Sequence, residues 1–251
     1  MQTKEWFESM FDTNSNVDKW GHQFRATQKK RLNLSFKMIQ PYIKKDMEIA
    51  DICCGLGDFL AKFKNCKLYG FDISKNAIEK AKKLYPHINF FQREIKDTTE
   101  KYDAIIALEC LHYFTAKENQ KNIDKIYNAL NDNGYFLFSV SLNYEHKDEL
   151  LKIVNSKFKI LKIEYTYFGM FSKIEPKLLF YSRDLDYILE RKRARKKVLL
   201  ERLINSQFSF FVILYMKMIQ NISRSILKSD VLVSLSEIFK IKHHIIVLGK
   251  K

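Results

Sequence analysis

The stretch from Ile49 to Phe59, IADICCGLGDF, constrains the fold of this chain more than any other. A short apolar run ends at Asp51 and leads through small residues, with glycines at positions 55 and 57, into a pattern typical of a helix. Such a turn lets a ligand lie against bare main chain, where a Cβ atom would collide with it. We therefore expect a strand, a tight turn and a helix over 57–64 that together hold a ligand.

A second apolar run, Leu68 to Phe71, follows this turn and is closed by Asp72. An acid at the tip of the second strand is placed to accept hydrogen bonds from a ribose diol. A dinucleotide turn would carry a third glycine, which is missing here, and Asp51 and Asp58 would repel a pyrophosphate. The pattern favours a nucleoside that carries an amino group and no phosphate.

In these features the chain resembles the class I S-adenosylmethionine-dependent methyltransferases, whose first motif reads roughly (D/E)-x-G-x-G-x-G. Asp51, Gly55 and Gly57 match it, and Cys53 stands where the first glycine is usual. Because cysteine is small, we expect this departure to be mild. The resemblance implies S-adenosylmethionine as the cofactor, and it places Asp72 on the ribose.

The resemblance continues in register to about Val140. It places Glu94 at the adenine amine and Ile95 against the adenine ring, and it adds Ile73 and Leu108 to the cofactor-binding residues. Residues 102–109 resemble the fourth strand of this family, and residues 131–139 resemble the turn and the fifth strand. Weak motifs in the right order favour the fold and the cofactor together, but they leave the methyl acceptor open.

The same residues also have structural interpretations. The glycines could form a turn that binds nothing. Asp72 could cap the following helix, for which Ser74 is the N-cap candidate. Glu94 could be a solvated loop acid, and Asp51 could hold the glycine loop through backbone N–H groups. The sequence leaves these alternatives open.

Strand and helix patterns alternate through residues 48–166. We expect strands near 48–53, 67–71, 88–92, 103–108, 134–140 and 158–166, and further helices near 75–85, 116–130 and 146–156. Residues 244–248 would form the last strand, which the resemblance places antiparallel beside the fifth. These patterns predict an α/β fold with a doubly wound, seven-stranded, mostly parallel sheet.

We divide the chain into an N-terminal helical lid (1–45), a Rossmann-like cofactor-binding core (46–166), a helical insertion that caps the substrate (167–240) and the last strand of the core (241–251). Aromatic residues such as Trp6, Trp20 and Phe24 form the stripes of the lid. In similar enzymes this segment covers the cofactor, and a lid helps to exclude water. Arg25 or Arg31 would bind the methionine carboxylate, although the stripes could simply dock helices on the sheet.

The insertion contains a basic run, 191–197, and an apolar run, 208–216, that is too short to span a bilayer. We consider three roles for it. It could cap the acceptor pocket, form a homodimer surface, or lie on a membrane as a peripheral helix. The first is favoured, since insertions at the carboxyl edge of such sheets commonly shape the pocket.

The net charge is +15, and residues 141–251 contribute most of it, with 22 basic and 11 acidic residues. This excess indicates an acidic partner, which could be a phosphorylated small molecule, a nucleic acid or an anionic lipid surface, or it is only a solvated basic surface. The four cysteines form no CxxC pair, so no metal site is expected. Reduced thiols and the absence of a secretion signal predict a cytoplasmic protein.

Residues just beyond the fourth strand should face the transferred methyl group. His112 is the candidate general base because its usual pKa is about 6.5. Glu109 would touch the cofactor or orient the acceptor, and Tyr113 would line the pocket. His112 could equally do no more than pack near the pocket, and an amine or phosphate-oxygen acceptor needs no strong base.

The motifs that are missing narrow the choice of acceptor. No Asp/Asn-Pro-Pro-Tyr follows the fourth strand and no RNA-binding module is visible, so nucleic acid is not the expected acceptor. The likeness to bacterial enzymes of surface-polysaccharide biosynthesis and the positive charge predict a small, polar, phosphate-bearing acceptor such as a nucleotide-linked sugar. The alternatives are a lipid, quinone or RNA acceptor, and a non-catalytic partner protein that only binds the cofactor.

Overall fold

The computed structural model describes residues 3–11, 25–97, 99–181 and 209–251. Trp20, Phe24 and the basic run 191–197 lie outside the described residues, as does the first residue of the apolar run 208–216. The described chain forms two compact units. A core unit comprises residues 3–11, 31–97, 99–167 and 242–251, and a helical unit comprises residues 25–30, 168–181 and 209–241.

The core unit is built on one sheet of seven strands in the order β3-β2-β1-β4-β5-β7-β6. Strands β1 to β5 run parallel, and β7 pairs antiparallel with both β5 and β6. The strands are β1 (Glu48–Ile52), β2 (Lys67–Asp72), β3 (Asn89–Gln92), β4 (Tyr102–Leu108), β5 (Leu130–Ser141), β6 (Lys159–Thr166) and β7 (His244–Lys250). The predicted doubly wound, mostly parallel α/β sheet and the antiparallel last strand beside the fifth are confirmed.

Helices cover both faces of this sheet. In chain order the α-helices of the described residues are α1 (Lys4–Met10), α2 (Ala26–Ile39), α3 (Lys75–Leu84), α4 (Ala116–Ala129), α5 (Lys147–Lys157), α6 (Gly169–Ser172), α7 (Glu175–Tyr181), α8 (Ser209–Lys228) and α9 (Asp230–Glu237). One apolar core joins α4 and α5 to the sheet, and a second core on the other face receives Met38 of α2 and Ile78 of α3. Because both faces are buried, the parallel strands are nearly continuous apolar runs.

Local signals explain where these helices begin and end. Ser74 caps α3 by accepting a hydrogen bond from the N–H of Ala77, and α3 ends before Pro86 as its sequence predicts. Thr115 and Glu118 form a capping box at the start of α4. Helix α4 ends at Ala129, close to the predicted end at residue 130, and β5 begins at Leu130, earlier than the predicted strand over 134–140.

The predicted helix over residues 57–64 is wrong. Only a 3₁₀ turn, Leu60–Lys62, forms there. Gly57 has a left-handed φ of 82°, which is incompatible with a helix start, and Phe59 and Phe63 are buried in the core on either side of the turn. Packing of these aromatic rings decides the backbone path, and the glycine turn therefore opens into a compact loop.

Candidate functional site

The glycine turn after β1 is a left-handed loop at the carboxyl edge of the sheet. Cys53, Gly55 and Gly57 have φ values of 61°, 54° and 82°. A Cβ atom on Gly57 would lie 2.4 Å from Cζ of Phe90, so this position requires glycine. Cys53 adopts a conformation that costs a non-glycine residue energy. Having Cys53 in place of the family's glycine therefore strains the backbone, and the size of the side chain is not the main difference.

Asp72, at the tip of β2, holds this turn in place. Its Oδ2 accepts a hydrogen bond of 2.9 Å from the N–H of Gly55, and its Oδ1 accepts one of 2.9 Å from the N–H of Ser74. Burial raises the pKa of Asp72 to about 6, although the hydrogen bonds from Ser74 and Gly55 oppose the rise. Asp72 therefore anchors the glycine turn, whereas the residue that caps α3 is Ser74. Each carboxylate oxygen of Asp72 keeps a further lone pair for a ligand.

Asp51 lies buried at the end of β1, one strand away from Asp72. Burial and then the charge of Asp72 raise the pKa of Asp51 well above its usual range. A hydrogen bond with Cys110 and then burial raise the pKa of the Cys53 thiol, and burial and then the charge of Asp72 raise the pKa of the Cys54 thiol. Both are free cysteines. The turn therefore concentrates two acids and two neutral thiols around bare main chain.

Helix α1 packs over the same edge of the sheet. Both carboxylate oxygens of Glu8 bind the start of α3: the hydroxyl of Ser74 and the N–H groups of Lys75 and Asn76 donate to them at 2.8–3.0 Å. Phe11 is buried, and its ring lies 3.6 Å from where a Cβ atom on Gly55 would be. The N-terminal residues thus contact the glycine turn directly.

A buried polar cluster, which we call the Glu109 cluster, follows β4. Glu109 has a φ of 57°, and its Oε1 accepts a hydrogen bond of 2.8 Å from the hydroxyl of Ser139. Nη1 of Arg31 donates to the same hydroxyl at 3.1 Å and lies 4.0 Å from Oε1 of Glu109. Burial alone would raise the pKa of Glu109, but His244 and Arg31 outweigh it and hold the pKa well below its usual range. Glu109 is therefore an ionised carboxylate, and 18% of its side chain is exposed.

His112 lies beside this carboxylate on a 3₁₀ turn, Leu111–Tyr113. Its Nδ1 is 4.0 Å from Oε2 of Glu109 and is buried without a hydrogen-bond partner among the described residues. Burial lowers the pKa of His112, with Glu109 acting in the opposite direction. A neutral imidazole with a free ring nitrogen can accept a proton. Tyr113 packs edge to face on Phe7 of α1, with ring centroids 5.0 Å apart.

His244 is a member of the Glu109 cluster that we did not predict. It opens β7, and its Nε2 lies 3.4 Å from Oε2 of Glu109, while its Nδ1 lies 3.2 Å from Oγ1 of Thr166 and 2.9 Å from Nδ1 of His243. We read residues 244–248 only as an apolar strand. The available signal was the pair of histidines at the start of a strand that runs antiparallel to its neighbours, because such a strand begins at the carboxyl edge of the sheet.

The other predicted site residues lie in different surroundings. Leu108 ends β4, Ile73 follows β2, and Glu94 is exposed just after β3. Ile95 is buried in the core under α4, beside a small apolar cavity. Arg25 belongs to the helical unit, where its Nε and Nη2 bind the two carboxylate oxygens of Glu175 at 3.0 and 2.6 Å. Their contacts with a cofactor stay predictions.

The Glu109 cluster and the glycine turn are adjacent. Sγ of Cys110 lies 3.8 Å from the carbonyl oxygen of Ile52, and Cys110 also interacts with the thiol of Cys53. The site therefore combines a glycine turn of the kind that holds a nucleoside with a group of protonatable side chains. Within the described residues, no three side chains of His, Cys, Asp or Glu are arranged to hold a metal ion.

Comparison with known proteins agrees with this geometry. A family model described as a methyltransferase domain matches residues 20–165. The carboxy-S-adenosyl-L-methionine synthase of Campylobacter concisus is 32% identical over 124 residues, which are 46% of this chain and 53% of that protein. The chain thus spans about half the length of this relative.

Two solved structures share the fold. The N-methyltransferase NodS of Bradyrhizobium japonicum, in complex with S-adenosyl-L-homocysteine, has a TM-score of 0.56 at 18% identity, covering 63% of this chain and 89% of that one. The magnesium protoporphyrin IX methyltransferase of Synechocystis, with bound S-adenosylmethionine, has a TM-score of 0.54 at 18% identity, covering 66% and 91%. Since the methyltransferase domain matches more than half of the chain, this protein belongs to the S-adenosylmethionine-dependent methyltransferase family.

Proposed function

We propose that this protein transfers a methyl group from S-adenosylmethionine to a small, polar, phosphate-bearing acceptor. The observation that carries the proposal is the adjacency of the glycine turn and the Glu109 cluster, joined through Cys110 and Cys53. A turn that holds the methyl donor beside groups that handle the acceptor brings the reactants together, which is the main requirement of a displacement reaction.

The residues around the turn fit the cofactor. Gly55 presents bare main chain, and the carboxylate of Asp72 ends the neighbouring strand with lone pairs left for a ribose diol. When bound, S-adenosylmethionine supplies an electrophilic methyl group. Asp72 would hold its sugar hydroxyls, and Phe11, directly after α1, would exclude water from the turn.

His112 would take the proton of a hydroxyl acceptor. Its pKa is lowered by burial, so the imidazole is neutral and ready to accept a proton near neutral pH. Glu109 lies 4.0 Å away and would stabilise the imidazolium that forms. His244 and Arg31 fix the position of Glu109.

Positive charge supports an anionic acceptor. The chain as a whole carries a net charge of +15, most of it in residues 141–251. A nucleotide-linked sugar or another precursor of surface polysaccharide has the required phosphate. Four free cysteines favour the reducing cytoplasm as the location of this reaction.

A panel assay tests the proposal. Sugar nucleotides and phosphorylated metabolites are incubated with the protein and S-adenosylmethionine labelled in its methyl group. We expect label in one acceptor class and an equal amount of S-adenosylhomocysteine, with His112→Ala as a reduced-turnover control. If no acceptor in the panel is labelled while a lipid or an RNA is, the phosphate-bearing small molecule is the wrong class.

The C. concisus relative suggests a second candidate, in which the methyl carbon of S-adenosylmethionine loses a proton and gains a carboxyl group from a carboxylated second substrate, which takes up the proton in its place. The 32% identity over 124 residues favours it. The products separate the two candidates. Methyl transfer releases S-adenosylhomocysteine, whereas carboxylation of the nucleoside keeps its methyl carbon, so mass spectrometry of the reacted nucleoside distinguishes them.

A further inference from the structure

Helices α8 and α9 of the helical unit expose a large amount of apolar surface. On α8, Leu214, Met218 and Ile222 are spaced by four residues and therefore lie on one side of the helix, where each is at least 50% exposed. On α9 and the residues after it, the exposed apolar side chains are Val231, Leu232, Leu235, Ile238 and Phe239. We call these two groups together the apolar stripe.

The inner sides of both helices are occupied. Leu227 of α8 and Val233 of α9 are fully buried in the same small core, with Ala26, Phe168 and Phe171. The apolar stripe therefore lies opposite the side that stabilises the unit. Exposed apolar side chains grouped on the outer side of two helices are typical of a binding surface and not of apolar residues scattered singly over a surface.

Charge distinguishes between possible occupants of the stripe. Helix α8 contains no Asp or Glu, and Lys217 and Lys228 are exposed along one edge of its apolar side. Lys240 is exposed directly after Phe239. On α9 the acid Glu237 binds Lys30, and Asp230 is exposed in the first turn of the helix. An apolar strip bordered by more lysines than acids is the pattern of a helix that lies in the interface of an anionic membrane.

A second copy of the chain fits this surface less well. A two-fold contact places the same patch of both subunits in one interface, so an antiparallel pairing of α8 with its copy would bring lysine edges together. Like charges in an interface oppose association. An anionic lipid headgroup neutralises the same lysines, and acyl chains accept the apolar side chains.

We propose that the apolar stripe of α8 and α9 docks the protein peripherally on a membrane surface rich in anionic phospholipid. Among the described residues, no helix is both long enough and apolar enough to cross a membrane. The apolar side chains of the stripe thus insert only to the level of the lipid headgroups, and Lys217, Lys228 and Lys240 face the phosphates. This inference is independent of the proposed methyl acceptor.

Vesicle co-sedimentation tests the proposal. The whole protein is mixed with vesicles of equimolar phosphatidylglycerol and phosphatidylcholine, or of phosphatidylcholine alone. We expect sedimentation with the anionic vesicles only, weakening as salt is added. Replacing Lys217 and Lys228 with Gln should lower the affinity about 30-fold, because each lysine near an anionic surface contributes about 1 kcal/mol.

Replacing Leu214 and Ile222 with Ser should lower the affinity at least about tenfold, since both side chains would lose buried apolar area. The matched control is on α3, where Lys82, Lys83 and Leu84 are exposed in the core unit. Gln, Gln and Ser at those three positions should leave binding unchanged. Thermal melts confirm that each variant is folded.

Three results would overturn the proposal. The first is that the wild-type protein stays in the supernatant with anionic vesicles at low salt. The second is that the α3 variants lose as much affinity as the α8 variants, which would indicate attraction by net charge alone. The third is a dimer in sedimentation velocity that Leu214→Ser and Ile222→Ser dissociate without any effect on vesicle binding, which would assign the stripe to a second copy.

Discussion

Nε2 of His244 lies 3.4 Å from Oε2 of Glu109. The last strand of the sheet thus delivers a side chain to the residue that follows β4, across 135 positions of sequence. This contact exists because β7 runs antiparallel beside β5 and therefore starts at the edge where the parallel strands end. It ties the Glu109 cluster to the last strand of the sheet.

His112→Ala should reduce methyl transfer to a hydroxyl acceptor by about 100- to 10,000-fold, the usual contribution of a general base. Binding of S-adenosylhomocysteine should stay the same, because the Asp72 side of the site is untouched. Turnover and calorimetric binding measure the two effects separately. His87→Gln is the control, since His87 is exposed between α3 and β3. Normal turnover in His112→Ala would leave His112 with a packing role only.

His244→Gln should act through its neighbours. Burial lowers the pKa of His112, and the charge of His244 lowers it further. Removing that charge should therefore shift the acidic limb of the kcat profile to higher pH, and Glu109 should be held less firmly. The pH dependence of kcat measures this. A profile that keeps its shape while only stability falls would mean that His244 is purely structural.

Gly57→Ala should destabilise the fold by more than about 2 kcal/mol, because a left-handed backbone and a collision with Phe90 act together. Gly55→Ala should cost about 1 kcal/mol, since its φ is also positive but the nearest ring atom is 3.6 Å away. Urea unfolding compares them. Phe90→Leu should recover part of the loss in Gly57→Ala only, and equal losses in the two glycine variants would contradict the packing argument.

Cofactor affinity should depend on pH through Asp72. Its pKa is raised from the usual 3.8 to about 6, so the carboxylate is ionised above that pH and neutral below it. The ionised form accepts stronger hydrogen bonds from a ribose diol. Affinity for S-adenosylhomocysteine should therefore fall as the pH decreases through about 6. The free energy of unfolding should rise as the pH decreases from about 6 to 3.8, because protonation of Asp72 removes the cost of burying its charge. Calorimetry across this range, with Asp72→Asn as the control that should remove the dependence, tests the assignment.

Much of the fold was predictable because the buried parallel strands are short apolar runs separated by clear caps such as Ser74 and Thr115. The predicted helix over 57–64 is wrong because tertiary packing sets the positions of the rings of Phe59 and Phe63 and the conformation of Gly57. A role for His244 in the site was not predicted, because the residues that contact it are brought together only by the order of the strands in the sheet. Arg25 was predicted to bind the methionine carboxylate from its position in the chain, but in the structure its guanidinium forms an ion pair with Glu175.

The central claim is that Asp72 and the glycine turn bind the nucleoside of S-adenosylmethionine, and calorimetric titration of S-adenosylhomocysteine into Asp72→Ala tests it most directly. Loss of hydrogen bonds to a charged acceptor should weaken binding on the order of 10- to 100-fold relative to the wild-type protein. Asp58→Ala should bind normally, because Asp58 accepts a hydrogen bond from the hydroxyl of Tyr85 and lies off the strand tip. Equal affinity in Asp72→Ala and the wild-type protein, or no binding by either, would contradict the account.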